Sequence, residues 1–331
     1  SSLIALHRAV ESIHTGSSDM AIVGGVQVMT SPAAYISFGI AGMLSSDGRC
    51  KSFDKDANGY VRGEGSGAIF IKPLDKAEAD GNHIYALIKA TAENHGGKVT
   101  TLTAPNPTAQ AELLVEAYEK AEIDPSAIGY IECHGTGTSL GDPIEIQALS
   151  KAFSELYKKA GKDRWQAPHC GLSSVKTNIG HLETAAGIAG ILKVLLSIKH
   201  KQIPASLHFN ELNPYIDLKN SPLYIVDKTT PWQAARAEDG SELPLLAGVI
   251  SFGFGGANAH IVLEEYIPQT TVAADTGPQL VVLSAKNEDR LKDYAGRILS
   301  RMESAAPELA DLAYTLQVGR DEMPVRLAVV A

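Results

Sequence analysis

Cysteine is scarce in this 331-residue sequence, and so are basic clusters, aromatic side chains and long apolar runs. The three cysteines, Cys50, Cys133 and Cys170, form no CxxC pair and leave an odd number. That argues against a disulfide scaffold and a structural zinc site, and makes a reducing cytoplasm the expected compartment. Twenty-nine Lys and Arg stand against 38 Asp and Glu, for a formal charge of −9. A general nucleic-acid binder needs clustered positive charge, and no stretch supplies it. The longest apolar stretch, residues 185–198, contains Gly187, Gly190 and Lys193 and is too short to span a bilayer. It reads as a buried helix. No signal-peptide pattern, short repeat or low-complexity tract is visible. What is present is apolar material: 44% of residues are hydrophobic, enough for one large core or two smaller ones.

Strand-like and helix-like patterns alternate along the chain. Residues 2–15 place Leu3, Leu6, Val10 and Ile13 on one helical face. Residues 20–28 are an apolar run expected as a buried strand, and 45–67 a long loop rich in Gly, Asp and Ser. Further strands are expected at 68–71, 84–90, 128–133, 171–175, 247–252 and 260–264. Helices are expected at 108–121, 143–153 and 183–200. This alternation implies an α/β architecture with a largely buried sheet. Residues 268–277 carry the Thr, Ala, Pro and Gly of a linker. Beyond them a strand (280–284), two helices (288–302, 309–317) and an apolar run (327–331) read as a small, incomplete α/β appendage. The expected division is therefore 1–266 and 267–331.

Three segments carry chemistry. Glu132-Cys133-His134-Gly135-Thr136-Gly137-Thr138 puts a histidine where a strand gives way to a tight turn, with Thr136 and Thr138 offering hydroxyls to a polar ligand. Val175-Lys176-Thr177-Asn178-Ile179-Gly180-His181 delivers a second histidine from a comparable turn. Lys176 lies between two apolar elements, and a buried ammonium needs a partner or loses its proton; Glu183 is the nearest candidate in sequence. Taken singly, each histidine reads equally well as a capped turn with a satisfied ring. Cys133 is not a partner for His134, because neighbouring strand residues face opposite ways. A zinc site from His134, His181 and Glu183 fits no familiar spacing. In the third segment, Ser251-Phe252-Gly253-Phe254-Gly255-Gly256-Ala257-Asn258, the glycines are followed by a strand, not a helix, so this is no dinucleotide loop. It is suited to bring backbone N–H groups to a reacting oxygen, or is simply a tight β-turn.

Together these segments resemble the β-ketoacyl synthases of polyketide and fatty acid synthases. The resemblance extends to Gly48-Arg49-Cys50-Lys51-Ser52-Phe53-Asp54 and Gly59-Tyr60-Val61-Arg62-Gly63-Glu64-Gly65. Residues 91–97 and 102–107 look most like bacterial modular synthases whose acyltransferase acts in trans, and the tail from about 278 is similar to the linker subdomain that flanks such ketosynthases. The resemblance implies a thiolase-like layered α-β-α-β-α fold and polyketide chain elongation: decarboxylative Claisen condensation of a malonyl-carrier-protein extender onto a cysteine-bound acyl chain. It assigns His134 and His181 to stabilising the enolate and Lys176 to orienting His181. Phe254 supplies an oxyanion-hole N–H, with Phe252 and Phe254 as apolar shutters; Thr136, Thr138 and Asn258 bind substrate. No metal or directly bound cofactor is implied, because substrates ride on the phosphopantetheine of acyl carrier protein. The implied partners are carrier-protein domains, other polyketide synthase domains and a second copy in a homodimer.

In this family a cysteine nucleophile precedes the Ser-Ser-Leu that here begins Ser1-Ser2-Leu3. The resemblance thus implies a C-terminal portion, with the N-terminal half of the fold largely missing and the nucleophile outside the chain. Two other functions stand beside elongation: a ketosynthase-like domain that transacylates without condensing, and a non-catalytic partner subunit.

Overall fold

The computed structural model describes residues 1–99, 105–162, 164–237, 239–268 and 277–331. One unit covers Ser1–Ile267 and a second Pro268–Ala331. In chain order the first contains α1 (Ser2–His14), β1 (Ala21–Gln27), α2 (Ala33–Ile40), β2 (Gly65–Ile71), α3 (Leu74–Ala79) and β3 (Leu87–His95). There follow α4 (Pro107–Lys120), β4 (Ile128–Glu132), α5 (Gly141–Lys159), β5 (Cys170–Ser173), α6 (Lys176–Ile179) and α7 (Ala186–His200). The short strands β6 (Gln202–Ile203), β7 (Leu223–Ile225) and β8 (Thr230–Pro231) precede β9 (Leu246–Phe252) and β10 (Ala257–Glu264).

Six strands form the main sheet in the order β3-β10-β9-β4-β5-β7. β10 runs antiparallel to both β3 and β9, while β9, β4, β5 and β7 are mutually parallel. Alternate residues point to opposite faces, and this divides the apolar residues into two cores. Ile131, Leu172, Ile250 and Val262 pack with Leu113 and Leu114 of α4 and Ile146 and Leu149 of α5. Tyr130, Val249 and Ile261 pack instead with Leu3 and Leu6 of α1 and Ile188, Ile191 and Val194 of α7. A second, two-stranded sheet of antiparallel β1 and β2 covers the far side of α1 and α7, with Val23 reaching that core. The layers are thus helix, sheet, helix, sheet.

β1 lies where residues 20–28 suggested, but only one of its faces is covered. Ile22 and Val26 point away from α1 and α7 and are exposed, as is Phe70 opposite Ile22. β3 starts later than residue 84 and continues to His95, because its register with β10 extends to the Ala257–His95 pair. α2 has no sequence signature: its apolar residues encircle the helix and none is buried.

The second unit holds β11 (Leu280–Ala285), α8 (Glu288–Ala305), α9 (Leu309–Val318) and β12 (Val325–Val330). The terminal apolar run pairs antiparallel with β11, Leu280 opposite Val330. Of the linker expected at 268–277, residues 269–276 lie outside the described residues, as do 102–104 of the stretch 102–107.

Candidate active site

His134 stands two residues beyond the end of β4, and α5 anchors the turn that carries it. Glu145 accepts the His134 N–H (2.7 Å) on one carboxylate oxygen and the Gly135 N–H (2.8 Å) on the other. Asp142, in the first turn of α5, accepts the N–H of Gly137 (3.1 Å) and of Phe53 (2.7 Å). Both carboxyls are buried, and burial raises them, Asp142 to about 6 and Glu145 to about 7. Gly137 has φ +75°, and a Cβ there would sit 2.9 Å from the Lys51 nitrogen, so the turn needs glycine. The loop through Phe53 closes over the turn, with the Ser52 hydroxyl donating to the Gly135 carbonyl (2.6 Å).

His181 follows α6 and is held by its main chain and its ring. Its N–H donates to the Val61 carbonyl (2.7 Å) and its carbonyl accepts the Gly63 N–H (3.0 Å). Ring atom Nδ1 accepts the Glu183 N–H (2.9 Å). A neutral imidazole that accepts at Nδ1 carries its proton on Nε2, so His181 is a hydrogen-bond donor at that atom. Tyr60 meets the ring edge-on, centroids 5.1 Å apart.

The two histidines converge. Their rings lie 5.5 Å apart at 84°, and Phe252 stands 6.0 Å from His134. Both imidazoles are held well below the usual histidine range, first by burial and then by the positive charge of Lys176. The site presents two neutral rings.

Lys176 is buried, and burial lowers its pKa against the opposing fields of Glu132 and Glu145. Among the described residues no carboxylate lies within 4 Å of it. Glu132 instead accepts the Val175 N–H at the head of α6 (2.6 Å) and pairs with Lys193 of α7 (2.8 Å). Tyr130 donates to Glu132 (2.6 Å), and Ser173 bonds both Tyr130 and Lys193. This buried network ties β4, β5 and α7 to the turn that carries Lys176. Glu183, the partner expected for Lys176, is engaged elsewhere: Arg62 and Gln27 hold its carboxylate. The same contacts remove it from any zinc set. Arg62 and Glu132 stand in segments the sequence singles out but without a role of their own, and Glu145 has no signal there beyond lying one helical turn from Asp142 on the face that meets the His134 turn.

The remaining candidates divide. Phe252 is buried beside His134, whereas the Phe254 side chain is 52% exposed. The turn between β9 and β10 closes through Gly253 N–H to Ala257 O and Gly256 N–H to Gly253 O, and neither bond uses the Phe254 N–H. Thr136 and Thr138 are half-buried with hydroxyls 3.4 Å apart, and Thr138 also accepts the Gly141 N–H. Asn258 is buried, and its amide donates to Asn94 across the strands (3.0 Å).

Three β-ketoacyl synthase models match this chain: the N-terminal domain over residues 1–77, the C-terminal domain over 85–210 and the C-terminal extension over 213–330. The chain belongs to the β-ketoacyl synthase family. All of it aligns with polyketide synthase PksN of Bacillus subtilis at 52% identity, covering 6% of that protein. The oxazolomycin ketosynthase domain OzmH KS7 of Streptomyces albus superposes with a TM-score of 0.87 at 42% identity. The ketosynthase from module 6 of the Bacillus subtilis bacillaene synthase gives 0.84 at 44%. Each solved structure matches all of this chain, which spans 56% of theirs.

These matches correct two expectations. The ketosynthase is not a C-terminal portion alone, since residues 1–77, which hold α1, β1, α2 and β2, match the N-terminal domain. The expectation of a C-terminal portion rests on placing the family's cysteine ahead of Ser1-Ser2-Leu3, yet the helix that follows and the β1–β2 sheet lie within the matched N-terminal domain. Nor does the nucleophile fall outside the chain as expected: it holds three free thiols, Cys50, Cys133 and Cys170. Each is buried, and burial pushes all three thiols up. Cys133 lies in the core shared with α4 and α5.

Proposed function

We propose that this ketosynthase elongates a polyketide chain in a modular synthase of the kind served by a separate acyltransferase. The observation that carries the reading is the pair of neutral imidazoles 5.5 Å apart, one with its donor fixed at Nε2. Decarboxylation of a malonyl thioester leaves the C–C electron pair as an enolate, and the charge gathers on the thioester oxygen. His134 and His181 donate to that oxygen, which lowers the barrier. The enolate carbon then attacks the carbonyl of the cysteine-bound acyl chain; the new C–C bond forms as the thiolate leaves.

Lys176 supports this chemistry through its field. Its positive charge opposes protonation of both rings, and a neutral ring is what donates here without itself losing a proton. Thr136 and Thr138 hold the phosphopantetheine arm of the carrier protein, the Phe254 N–H joins the oxyanion hole, and the Phe252 and Phe254 rings close the entrance. Asn258 acts at one remove by keeping the β10 end of the turn in register with Asn94. The domain acts as a cytoplasmic homodimer that receives carrier-protein domains of its synthase.

Two converging histidines favour condensation over transacylation alone, since acyl loading has no enolate to stabilise; a non-catalytic partner needs neither ring. Incubation with an acyl donor and malonyl-carrier protein tests the assignment. Elongation predicts CO2 release coupled to a β-ketoacyl product. Acylated protein with no CO2 above background leaves the transacylating reading in its place.

A further inference from the structure

We propose that His95 is a positioning residue for the Phe254 N–H, aiming it through a relay of two peptide planes in the turn between β9 and β10. Its effect on rate rests on the oxyanion role proposed above for that N–H.

The turn runs Gly253-Phe254-Gly255-Gly256, and three glycines in four residues leave it little conformational preference of its own. Restraint comes from the end of β3. His95 stands opposite Ala257, the first residue of β10. Its ring lies against Gly256, where a Cβ would sit 2.8 Å from Nε2. Each ring nitrogen meets a main-chain group: Nδ1 accepts the Gly97 N–H (3.0 Å), and Nε2 lies 3.1 Å from the Gly255 carbonyl oxygen. An N–H only donates and a carbonyl only accepts, so the neutral ring carries its proton on Nε2. The Nε2–H therefore donates to Gly255.

That bond acts at a distance through the turn. In a trans peptide the C=O and the next N–H point in opposite directions, so a carbonyl held on one side aims the N–H on the other. The Gly255 carbonyl shares its peptide plane with the Gly256 N–H, which donates to the Gly253 carbonyl (2.9 Å). The Gly253 carbonyl in turn shares its plane with the Phe254 N–H. His95 thus reaches the Phe254 N–H in two steps, and each bond polarises the next. A second anchor holds the turn against β3: the Gly96 N–H donates to the Gly256 carbonyl (2.7 Å). The Gly96 carbonyl accepts from the Asn106 amide (2.7 Å), and Asn106 caps α4. Nothing in the relay uses the Phe254 ring.

The test compares His95→Leu, which keeps apolar bulk over Gly256 without a donor, with His95→Gln, whose side-chain amide supplies a donor at the reach of Nε2. His95 is exposed at the strand end, so neither change opens the core. Nitrogen-15 spectra of phenylalanine-labelled protein, with Phe254 assigned by its loss in Phe254→Leu, read the N–H without reference to activity. The Phe254 amide proton should move upfield in His95→Leu and return to its wild-type position in His95→Gln. Self-acylation from a thioester donor should slow roughly fivefold in His95→Leu, the scale of one hydrogen bond, and recover in His95→Gln. Malonyl decarboxylation, which the two imidazoles serve, should keep its rate in both. Should His95→Leu not fold, His95→Ala makes the same comparison. An unmoved Phe254 amide in the variant without a donor would overturn the relay. An equal loss in both half-reactions would overturn the positioning role and make His95 structural only. If the amide moves while acylation keeps the wild-type rate, the relay stands and the oxyanion role of Phe254 fails.

Discussion

The imidazole of His134 meets that of His181 edge to face, 5.5 Å between ring centres, although 47 residues of chain separate them. Parallel pairing of β4 with β5 brings the two turns side by side, Glu132 opposite Ser173. Two carboxylates then fix the turns: Glu145 the one after β4, Glu132 the one after β5. The site is a property of adjacent parallel strand ends, the usual place for ligands in such sheets.

The Glu132–Lys193 pair should be expensive to break from one side. Both side chains are buried, at 2% and 8% exposure. Lys193→Met leaves a carboxylate uncompensated, a loss of about 3–5 kcal/mol. Adding Glu132→Gln should recover much of this, as read by urea unfolding. Equal stability of wild type and Lys193→Met would show that the network is not what ties α7 to the α6 turn.

Stability should fall as the solution is made acidic. His134, His181 and His260 are all held below the ordinary value near 6.5 by burial, His260 to about 3. At these three sites the unfolded chain binds more protons than the fold below pH 6.5, so their contribution is complete above that pH and shrinks beneath it, offset in part by Asp142 and Glu145, whose raised carboxyls take up protons in the fold. Each histidine adds a slope of about 1.4 kcal/mol per pH unit. His260→Leu should flatten the slope between pH 6 and pH 4 by one such proton; an unchanged slope would mean that His260 already protonates in the fold.

Phe254→Ala should leave the fold intact, because the ring is half exposed and not a core member. The change in unfolding free energy should stay within about 0.5 kcal/mol. Acyl loading should proceed normally while condensation declines. A loss of several kcal/mol, as for a buried Phe→Ala change, would make the ring structural.

Among the three thiols, Cys50 should alkylate first. Cys133 and Cys170 lie in the apolar core beside α4 and α5, whereas Cys50 sits outside that core, and although burial raises its thiol too, the Val61 hydrogen bond and the charge of Lys176 oppose that rise. Peptide mapping after brief iodoacetamide treatment gives the order, and preferential labelling of Cys133 would contradict the packing described.

Much of this was legible in the sequence where one residue type at one spacing decides the outcome. Buried strands such as β4 and β9 announce themselves as apolar runs, and the turns after β4 and β5 by glycines beside histidines. What stayed hidden depends on pairing across the chain. Arg62 and Glu183 are 121 residues apart, and although each stands in a segment the sequence singles out, nothing in it pairs them until the fold does. Lys176 was matched to Glu183 by nearness in sequence, but parallel strands place Glu132 and Glu145 on its side instead. The β1–β2 sheet carried no motif strong enough to show that it represents the N-terminal domain.

The most direct measurement is malonyl-carrier-protein decarboxylation by His134→Ala and His181→Ala. Loss of one donor to the enolate oxygen should cost each variant roughly a hundredfold or more in rate, while His134→Ala still takes up an acyl group. Decarboxylation at the wild-type rate in either variant would contradict the account.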